Sequence, residues 1–477
     1  MAKPTPLSGF PELLPAARTV EREVIASLSR TFELHGFANI ETRVVEPLDR
    51  LAKGGDIDKE IYLVRRLQAE ASADTATVTE VDPAAATGPD RQLGLHFDLT
   101  VPFARYVLEN AGHLEFPFRR YQIQPAWRGE RPQEGRFRQF TQADIDIVGK
   151  DDLPFHHDVE VMRVMVQALG DLPLPRLSFQ INNRKLIQGF YRGLGIPDVT
   201  AAIRQIDKLD KLPAEAVADL LVENAGATAE QAGRCLELAT IRISDHSLVE
   251  RVQALGVSDE LLSRGLAELA SVIEGCADAV ASTNGRVSVE ANLRIARGLD
   301  YYTGTVVEIF MEGYERLKSV GGGGRYDALA DDGRTTYPGV GISFGISRTL
   351  VPLISDGVLT GSRPVPSAVL IALADEVSRP ESEHVAEALR GRGIACEVAP
   401  SPQKYGRQIR YAERRGIPFV WFPAGASHDS DQVKDIRSGD QVDADAATWS
   451  PPDADLRPGI VVSATDETSQ TDERQKQ

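Results

Sequence analysis

A chain of 477 residues is too long for one ordinary core, so roughly two to four domains are expected. Its 42% hydrophobic and 26% charged residues are those of a globular protein, and apolar runs such as Ala368 to Ala374 fall far short of the roughly 20 residues a bilayer span requires, so no membrane association is expected. The net charge of −17 argues at first against a polyanionic partner, and the three scattered cysteines, Cys235, Cys276 and Cys396, suggest neither a disulfide framework nor a zinc site; buried small residues is their reading.

The N-terminal Met1-Ala2-Lys3-Pro4-Thr5-Pro6 lacks an apolar signal core, which points to the cytoplasm. Pro15 to His35 carries Val20, Val24, Ile25, Leu28 and Phe32 at helical spacing, stopped by Gly36, and Phe37 to Val45 reads as a strand running into Pro47. Gln68 to Asp90 is Ala, Thr, Asp, Glu and Pro with no basic or aromatic residue, the composition of a solvated loop. The strand Leu93 to Phe97 leads into Asp98-Leu99-Thr100 and then Pro102, taken alone a cap for a helix over Val101 to Asn110.

Strands near Phe118 to Ile123 and Phe140 to Val148 flank a Gly- and Pro-bearing centre, which reads as a long hairpin. Between Phe116 and Phe140 six arginines (Arg119, Arg120, Arg128, Arg131, Arg136 and Arg138) face two glutamates, Glu130 and Glu134, with Tyr121, Trp127 and Phe137 interleaved. A polyanion is bound by such a local patch whatever the global charge, and uncompensated like charge argues against a merely solvated loop. On the returning strand Gln142 and Asp146 are four apart and share a face, by themselves an exposed strand face.

A helix begins near Phe155 and a strand at Leu177 to Ile181; strands in hairpins with helices grouped apart indicate an antiparallel sheet in an α+β domain. From Arg184 to about Val280 the pattern is almost wholly helical, and strand signals resume at Val287, so the first domain is discontinuous around an insertion. Arg297-Gly298-Leu299-Asp300-Tyr301-Tyr302, before a strand over Thr305 to Phe310, packs a guanidinium, an acid and two phenols into six residues: a ligand site or an elaborate turn. Gly321 to Gly324, before Arg325-Tyr326-Asp327, reads as a flexible turn or as backbone that a ligand approaches, and Gly339 to Arg348 as glycine-spaced strand with Arg348 opening a helix. Past a linker at Gly361 to Pro366, strand and helix alternate through Val369 to Leu373, His384 to Leu389, Ala395 to Val398, Gln408 to Arg415 and Phe419 to Phe422, a small α/β domain with a mostly parallel sheet. Lys404, Arg407, Arg410, Arg414 and Arg415 make one helix basic against Glu413 alone, a binding face or a solvated one. From Pro451 on, six acids, three basic residues and few apolar anchors describe a loose tail.

In this order, a Pro47 segment, an Arg128-bearing hairpin and a Gly-rich strand leading into Arg348 resemble the three signature motifs of class II aminoacyl-tRNA synthetases. Phe97 to Pro102, the loop Arg131 to Phe140, Arg297 to Tyr302 and Gly323-Gly324-Arg325-Tyr326-Asp327 resemble, within that class, the histidyl-tRNA synthetases, over nearly the whole chain up to the tail. The resemblance implies an α+β fold: a class II antiparallel-sheet catalytic domain (1–183 and 285–360), a helical insertion (184–284), a C-terminal α/β anticodon-binding domain (364–450) and a flexible tail (451–477). It implies condensation of L-histidine with ATP to histidyl-adenylate and pyrophosphate, then transfer to the 3' end of tRNA, by a homodimer. Mg2+ is expected to come with ATP, without a dedicated protein metal site.

Residue by residue, it implies that Arg128 and Arg297 hold the α-phosphate as catalytic groups and contact histidine. Arg136 and Arg348 are implied to bind ATP with Arg128. Asp98, Leu99 and Thr100 match the segment that receives the substrate amino group, while Gln142, Asp146, Tyr301 and Tyr302 form the imidazole pocket, where buried partners for both ring nitrogens reject other amino acids. Arg131, Gln133 and Arg138 match residues facing the tRNA acceptor end. Asp146 is often glutamate in the family, the 68–90 loop is longer than usual, and Gly322 stands where alanine is common. Regulatory relatives without synthetase activity lose the anticodon domain and the Arg297 to Tyr302 motif, and this chain has both.

Overall fold

The computed structural model describes residues 4–52, 60–65, 92–245, 247–296, 298, 302–425 and 429–463; the Gln68 to Asp90 loop lies outside them. The chain divides into two compact units, Met1–Pro11 with Ile25–Thr349, and Glu12–Val24 with Leu350–Gln477.

Helix α1 spans Pro15–Leu34. Where one strand is expected from Phe37 to Val45, two short ones form, β1 (Ala38–Asn39) and β2 (Val45–Pro47), the latter paired through β4 (Leu93–Leu95) with β3 (Leu63–Val64). After α2 (Leu48–Leu51) comes α3 (Thr100–Asn110), then the long hairpin β5 (Phe118–Trp127) and β6 (Gln139–Val148), α4 (His156–Gly170) and β7 (Leu177–Asn183). Helices α5 (Arg184–Gly193), α6 (Val199–Ile206), α7 (Ala214–Ala225), α8 (Ala229–Ala239), α9 (Ser247–Gln253) and α10 (Glu260–Ser282) follow, interrupted by the two-residue β8 (Arg242–Ile243). Strands β9 (Val287–Asn292), β10 (Tyr302–Met311), β11 (Gly321–Asp331) and β12 (Thr336–Phe344) complete the sheet before α11 (Ile346–Ser355).

The resulting sheet has nine strands in the order β1-β5-β6-β12-β11-β10-β7-β9-β8, antiparallel except for the β1–β5 and β7–β9 pairs. Period-two alternation separates its faces. One carries Tyr121, Ala143, Ile145, Ile147, Phe179 and Ile181, all buried. The other carries a polar band: one register row runs Gln122, Asp144, Ser343, Gly322, Glu308, Gln180, Glu290 across seven strands. α10 packs against α4 and α5. A Cβ on Gly189 would lie 2.1 Å from Leu262 N and one on Gly265 2.2 Å from Leu186 N, so α5 and α10 touch backbone to backbone only because both positions are glycine.

Behind the sheet a buried ion pair ties β11 to α4. Arg325 donates to both oxygens of Asp158, at 2.6 Å to Oδ2, and to the carbonyls of Leu153 and Pro154, while Thr305 Oγ1 donates to Asp158 Oδ1 at 2.7 Å. Burial raises the Asp158 carboxyl despite this pairing.

In the second unit β13 (Leu359–Gly361) precedes β14 (Val369–Ile371), α12 (Arg379–Gly391), β15 (Cys396–Val398), α13 (Tyr405–Arg415), β16 (Phe419–Phe422), β17 (Gln432–Asp435), β18 (Gln441–Asp443), α14 (Asp453–Leu456) and β19 (Ile460–Val462). Its five-stranded sheet, β15-β14-β16-β17-β18, is less parallel than expected: β14 runs parallel to β15 and β16, but β17 and β18 add an antiparallel edge hairpin. The polar edge strands carry no apolar run to signal them, because only Val433 of β17 enters the core. Apolar clusters form around Ile371 and Trp421 and around Leu370 and Val420. The tail expectation is corrected over its first part: Ile460–Val462 pairs antiparallel with Leu359–Gly361, which satisfies backbone groups that a loose chain leaves to water.

Candidate active site

The site grows from the polar end of the β5–β6 hairpin. Arg128 N donates to Arg138 O at 2.9 Å, its Nε to Phe97 O at 3.0 Å, and its guanidinium lies 5.1 Å from the Phe140 ring centre, an arrangement that fixes the fork beside the loop holding Asp98. Asp98 does cap α3, accepting from Val101 N at 3.1 Å. Burial pushes its carboxyl up to about 6, against the opposing pull of that bond and of the Arg128 charge. Leu99 is fully buried, which leaves only its backbone to meet a ligand.

At the hairpin loop Gln133 and Arg136 exchange backbone bonds at 3.1 and 2.9 Å, Arg136 pairs with Glu130 at 3.3 Å, and Arg138 Nε donates to Glu130 O at 3.3 Å. Arg131 and Gln133 are exposed. Arg348 lies in the first turn of α11, donates Nη2 to Leu317 O, and has its stem beside Gly135, where a Cβ would be 3.4 Å from Arg348 Cγ. The fold therefore gathers Arg136 and Arg348 around one loop although 212 positions separate them in the numbering (348 − 136 = 212).

Across the sheet, Thr100, Asp144, Asp146, Tyr302, Tyr326 and Ser343 line a small cavity of about 30 Å³. Two glycines opposite on β12 make room for it. A Cβ on Gly341 would lie 2.0 Å from Asp146 Oδ1, and one on Gly339 2.4 Å from the Tyr326 ring. Tyr326 OH donates to Asp146 Oδ1 at 2.7 Å, and Arg120 Nη2 sits 2.6 Å from Asp146 Oδ2. Gln142 Nε2 donates to Asp144 Oδ1 at 3.0 Å and to Ser343 Oγ at 3.1 Å. Burial raises the Asp144 carboxyl and drives that of Asp146 to about 7, even with Arg120 opposing it; the Tyr326 phenol is raised by burial and by the Asp146 charge. Farther along the same face, Gln180, Arg294 and Glu308 help line a larger cavity of about 860 Å³.

Among the sequence candidates, the structure unites Thr100, Asp146 and Tyr302 on one cavity, with Gln142 on the same strand face and Asp98 beside Arg128. Arg297 and Tyr301, with Asp300, lie outside the described residues. The residues that sequence reasoning did not assign are Arg120, Asp144, Ser343 and Tyr326. For Arg120 and Asp144 the alternation Arg120-Gln122-Gln124 against Gln142-Asp144-Asp146 was the legible signal, since polar residues at period two on adjacent strands share a face. The glycine run Gly321 to Gly324 is no turn: it lies within β11, where a Cβ on Gly323 would be 2.0 Å from Gly341 O. Among the described residues, His156, His157 and Glu160 form the one group with metal-ligand spacing, but Glu160 is engaged by both Arg119 and His157.

The histidyl-tRNA synthetase family model matches residues 9–349 and the anticodon binding domain model residues 367–444. The histidine–tRNA ligase of Cutibacterium acnes is 55% identical over 97% of this chain and 99% of its own length. That of Micrococcus luteus is 54% identical over 96% and 99%. The crystal structure of histidyl-tRNA synthetase from Nostoc sp. PCC 7120 superposes with a TM-score of 0.78 at 31% identity, covering 94% of this chain and 98% of that one.

Proposed function

The chain belongs to the histidyl-tRNA synthetase family and charges tRNA with histidine, and we propose that it does so by in-line adenylation on the polar face of the nine-stranded sheet. The histidine carboxylate attacks the α-phosphorus of ATP; a carboxyl O–P bond forms as the bond to pyrophosphate breaks. A terminal ribose hydroxyl of the tRNA then attacks the histidyl carbonyl and AMP leaves. Charge builds on the phosphoryl oxygens in the first step, and fixed guanidinium groups stabilise it without reorganising. Arg128 and Arg297 are assigned that role, Arg136 and Arg348 the rest of the nucleotide. Mg2+ accompanies ATP as part of the substrate.

Asp98 and Thr100 receive the α-ammonium, and Asp146, Gln142, Tyr301 and Tyr302 the imidazole. The observation that carries this reading is Arg128 fixed by Phe97 O beside Asp98, with Thr100, two residues on, lining the cavity of Asp146 and Tyr302. A carboxylate for the ammonium and a cation for the carboxylate end and phosphate thus lie close enough for the Arg128 charge to act on Asp98. Domain limits of 1–183 with 285–360, 184–284 and 364–450 belong to the proposal, as do contact of Arg131, Gln133 and Arg138 with the tRNA acceptor end, a homodimer and a cytoplasmic location; these rest on the motif resemblance. No helix among the described residues is long and apolar enough to cross a membrane.

ATP–pyrophosphate exchange tests the proposal. Exchange must depend on histidine and on no other amino acid, and Arg128→Ala and Arg297→Ala must each lower it by at least about 100-fold, the scale of removing one preorganised charge-stabilising group. Near-normal exchange in either variant, with the melting temperature retained, removes that residue from the site.

A further inference from the structure

Arg120 is the largest charged side chain fully buried in the molecule among the described residues, and the synthetase chemistry assigns it nothing. Its guanidinium lies 4.1 Å from the Phe103 ring centre, Nη1 donates to Gln122 Oε1 at 3.3 Å, and Nη2 sits 2.6 Å from Asp146 Oδ2. Neither Nε nor Nη2 has a well-aimed acceptor among the described residues, so the Asp146 contact is an ion pair more than a directed hydrogen bond. A buried guanidinium held this loosely is costly unless its charge is used.

We propose that Arg120 is a specificity-determining positioning residue: beside the imidazole pocket it favours the ionised form of Asp146 and holds it toward the ring, so that the pocket selects an N–H donor. The inference rests on the reading of Asp146 as an imidazole partner. Every other titratable or charged group facing Asp146 from the described elements either adds negative charge or is a neutral phenol, apart from one cation. Asp144 stands beside it on β6, and the Tyr326 and Tyr302 phenols reach over from β11 and β10. The other cation, Arg128, acts on Asp98 and Asp144 and is no counter-ion of Asp146. Arg120 is thus the counter-charge of this carboxylate, whose proton affinity already stands near neutrality with Arg120 in place. Without it Asp146 carries a proton at pH 7, and a protonated carboxyl offers the imidazole N–H only its neutral carbonyl oxygen, a weaker acceptor than the carboxylate.

The test is the pH dependence of the histidine KM in ATP–pyrophosphate exchange, from pH 6 to 9, in the full-length enzyme and in Arg120→Met, Arg120→Gln and Arg120→Lys. The substrate ring titrates identically in all four, so differences report the protein. In the neutral variants KM at pH 7 should rise at least about fivefold, as expected when a carboxylate half ionised near pH 7 moves up by one unit or more, and should return to within about twofold of wild type by pH 9. The kcat and the ATP KM should not change, and Arg120→Lys should keep the wild-type profile. A KM raised equally at every pH, or unchanged throughout, overturns the proposal. So does failure of both neutral variants to fold while Arg120→Lys behaves as wild type, which assigns Arg120 to folding alone. Asp146→Asn separates the parent reading: a wild-type KM there removes Asp146 from the pocket whatever Arg120 does, whereas a high, pH-flat KM with no pH effect in the Arg120 variants sinks only the role of Arg120.

Discussion

Asp98 illustrates how a residue can be costly to the fold and retained for chemistry. Its carboxyl titrates at about 6 in the folded chain, above its unfolded value, so its contribution to stability is full at low pH and is lost as pH rises through about 6. At pH 8 the ionised group costs up to about 3 kcal/mol, two units at about 1.4 kcal/mol each. Asp98→Asn keeps an oxygen for Val101 N–H and removes the charge. Ligand-free melts should therefore place the variant above wild type at pH 8, with the gap closing toward pH 5, while the histidine KM at pH 8 rises at least about tenfold for want of an ammonium partner. A variant less stable than wild type at pH 8 contradicts the assignment. The sequence made Asp98, Thr100, Gln142 and Asp146 visible as residue types at motif spacing, but not Arg120 or Tyr326 as their partners. The Tyr326 contact crosses between strands that are distant in the chain, and for Arg120, on the neighbouring hairpin strand, the alternation shows a shared face but not the register that sets it opposite Asp146.

At the scale of elements, the strand β12 works by what it lacks. Gly341 sits directly opposite Asp146 in the register, and the carboxylate occupies the volume where a side chain would begin. Gly341→Ala should displace Asp146 from Arg120 and Tyr326 and raise the histidine KM by tenfold or more, on the order of 1.4 kcal/mol or above, with a smaller effect on the ATP KM. Steady-state kinetics of pyrophosphate exchange with each substrate varied would show this, and an unchanged histidine KM would exclude Asp146 from the displaced group. The amphipathic helices and the long hairpin were legible because burial of one face writes a period into the sequence. The β11 glycines were ambiguous because a glycine run has no period; crowding by neighbouring carbonyls, visible only in three dimensions, explains them. The expected strand through Phe37 to Val45 broke into two pieces for a similar reason: each finds a different partner, β5 for one and β4 for the other.

Over the whole molecule, the C-terminal segment closes a structural unit: β19 is the partner of β13, which begins that unit's path away from α11. Deleting residues 458–477 removes this pairing and should lower the melting temperature of the second unit by several degrees, whereas deleting only 464–477 leaves it intact and should not; equal melts for the two truncations would show that the pairing contributes nothing. The sequence by itself determined the class of fold, the helical stretch between two sheet segments, the α/β character of the C-terminal unit and which residue types stand at motif spacing. These follow from periodicity, composition and short motifs, all of which are local. Tertiary structure alone decided the polar row across seven strands, the antiparallel edge of the second sheet, the glycine-cleared cavity and the burial of Arg120 against Asp146. Those depend on register between segments as far apart as Gln122 and Ser343, and on desolvation, which no residue has until the rest of the chain surrounds it.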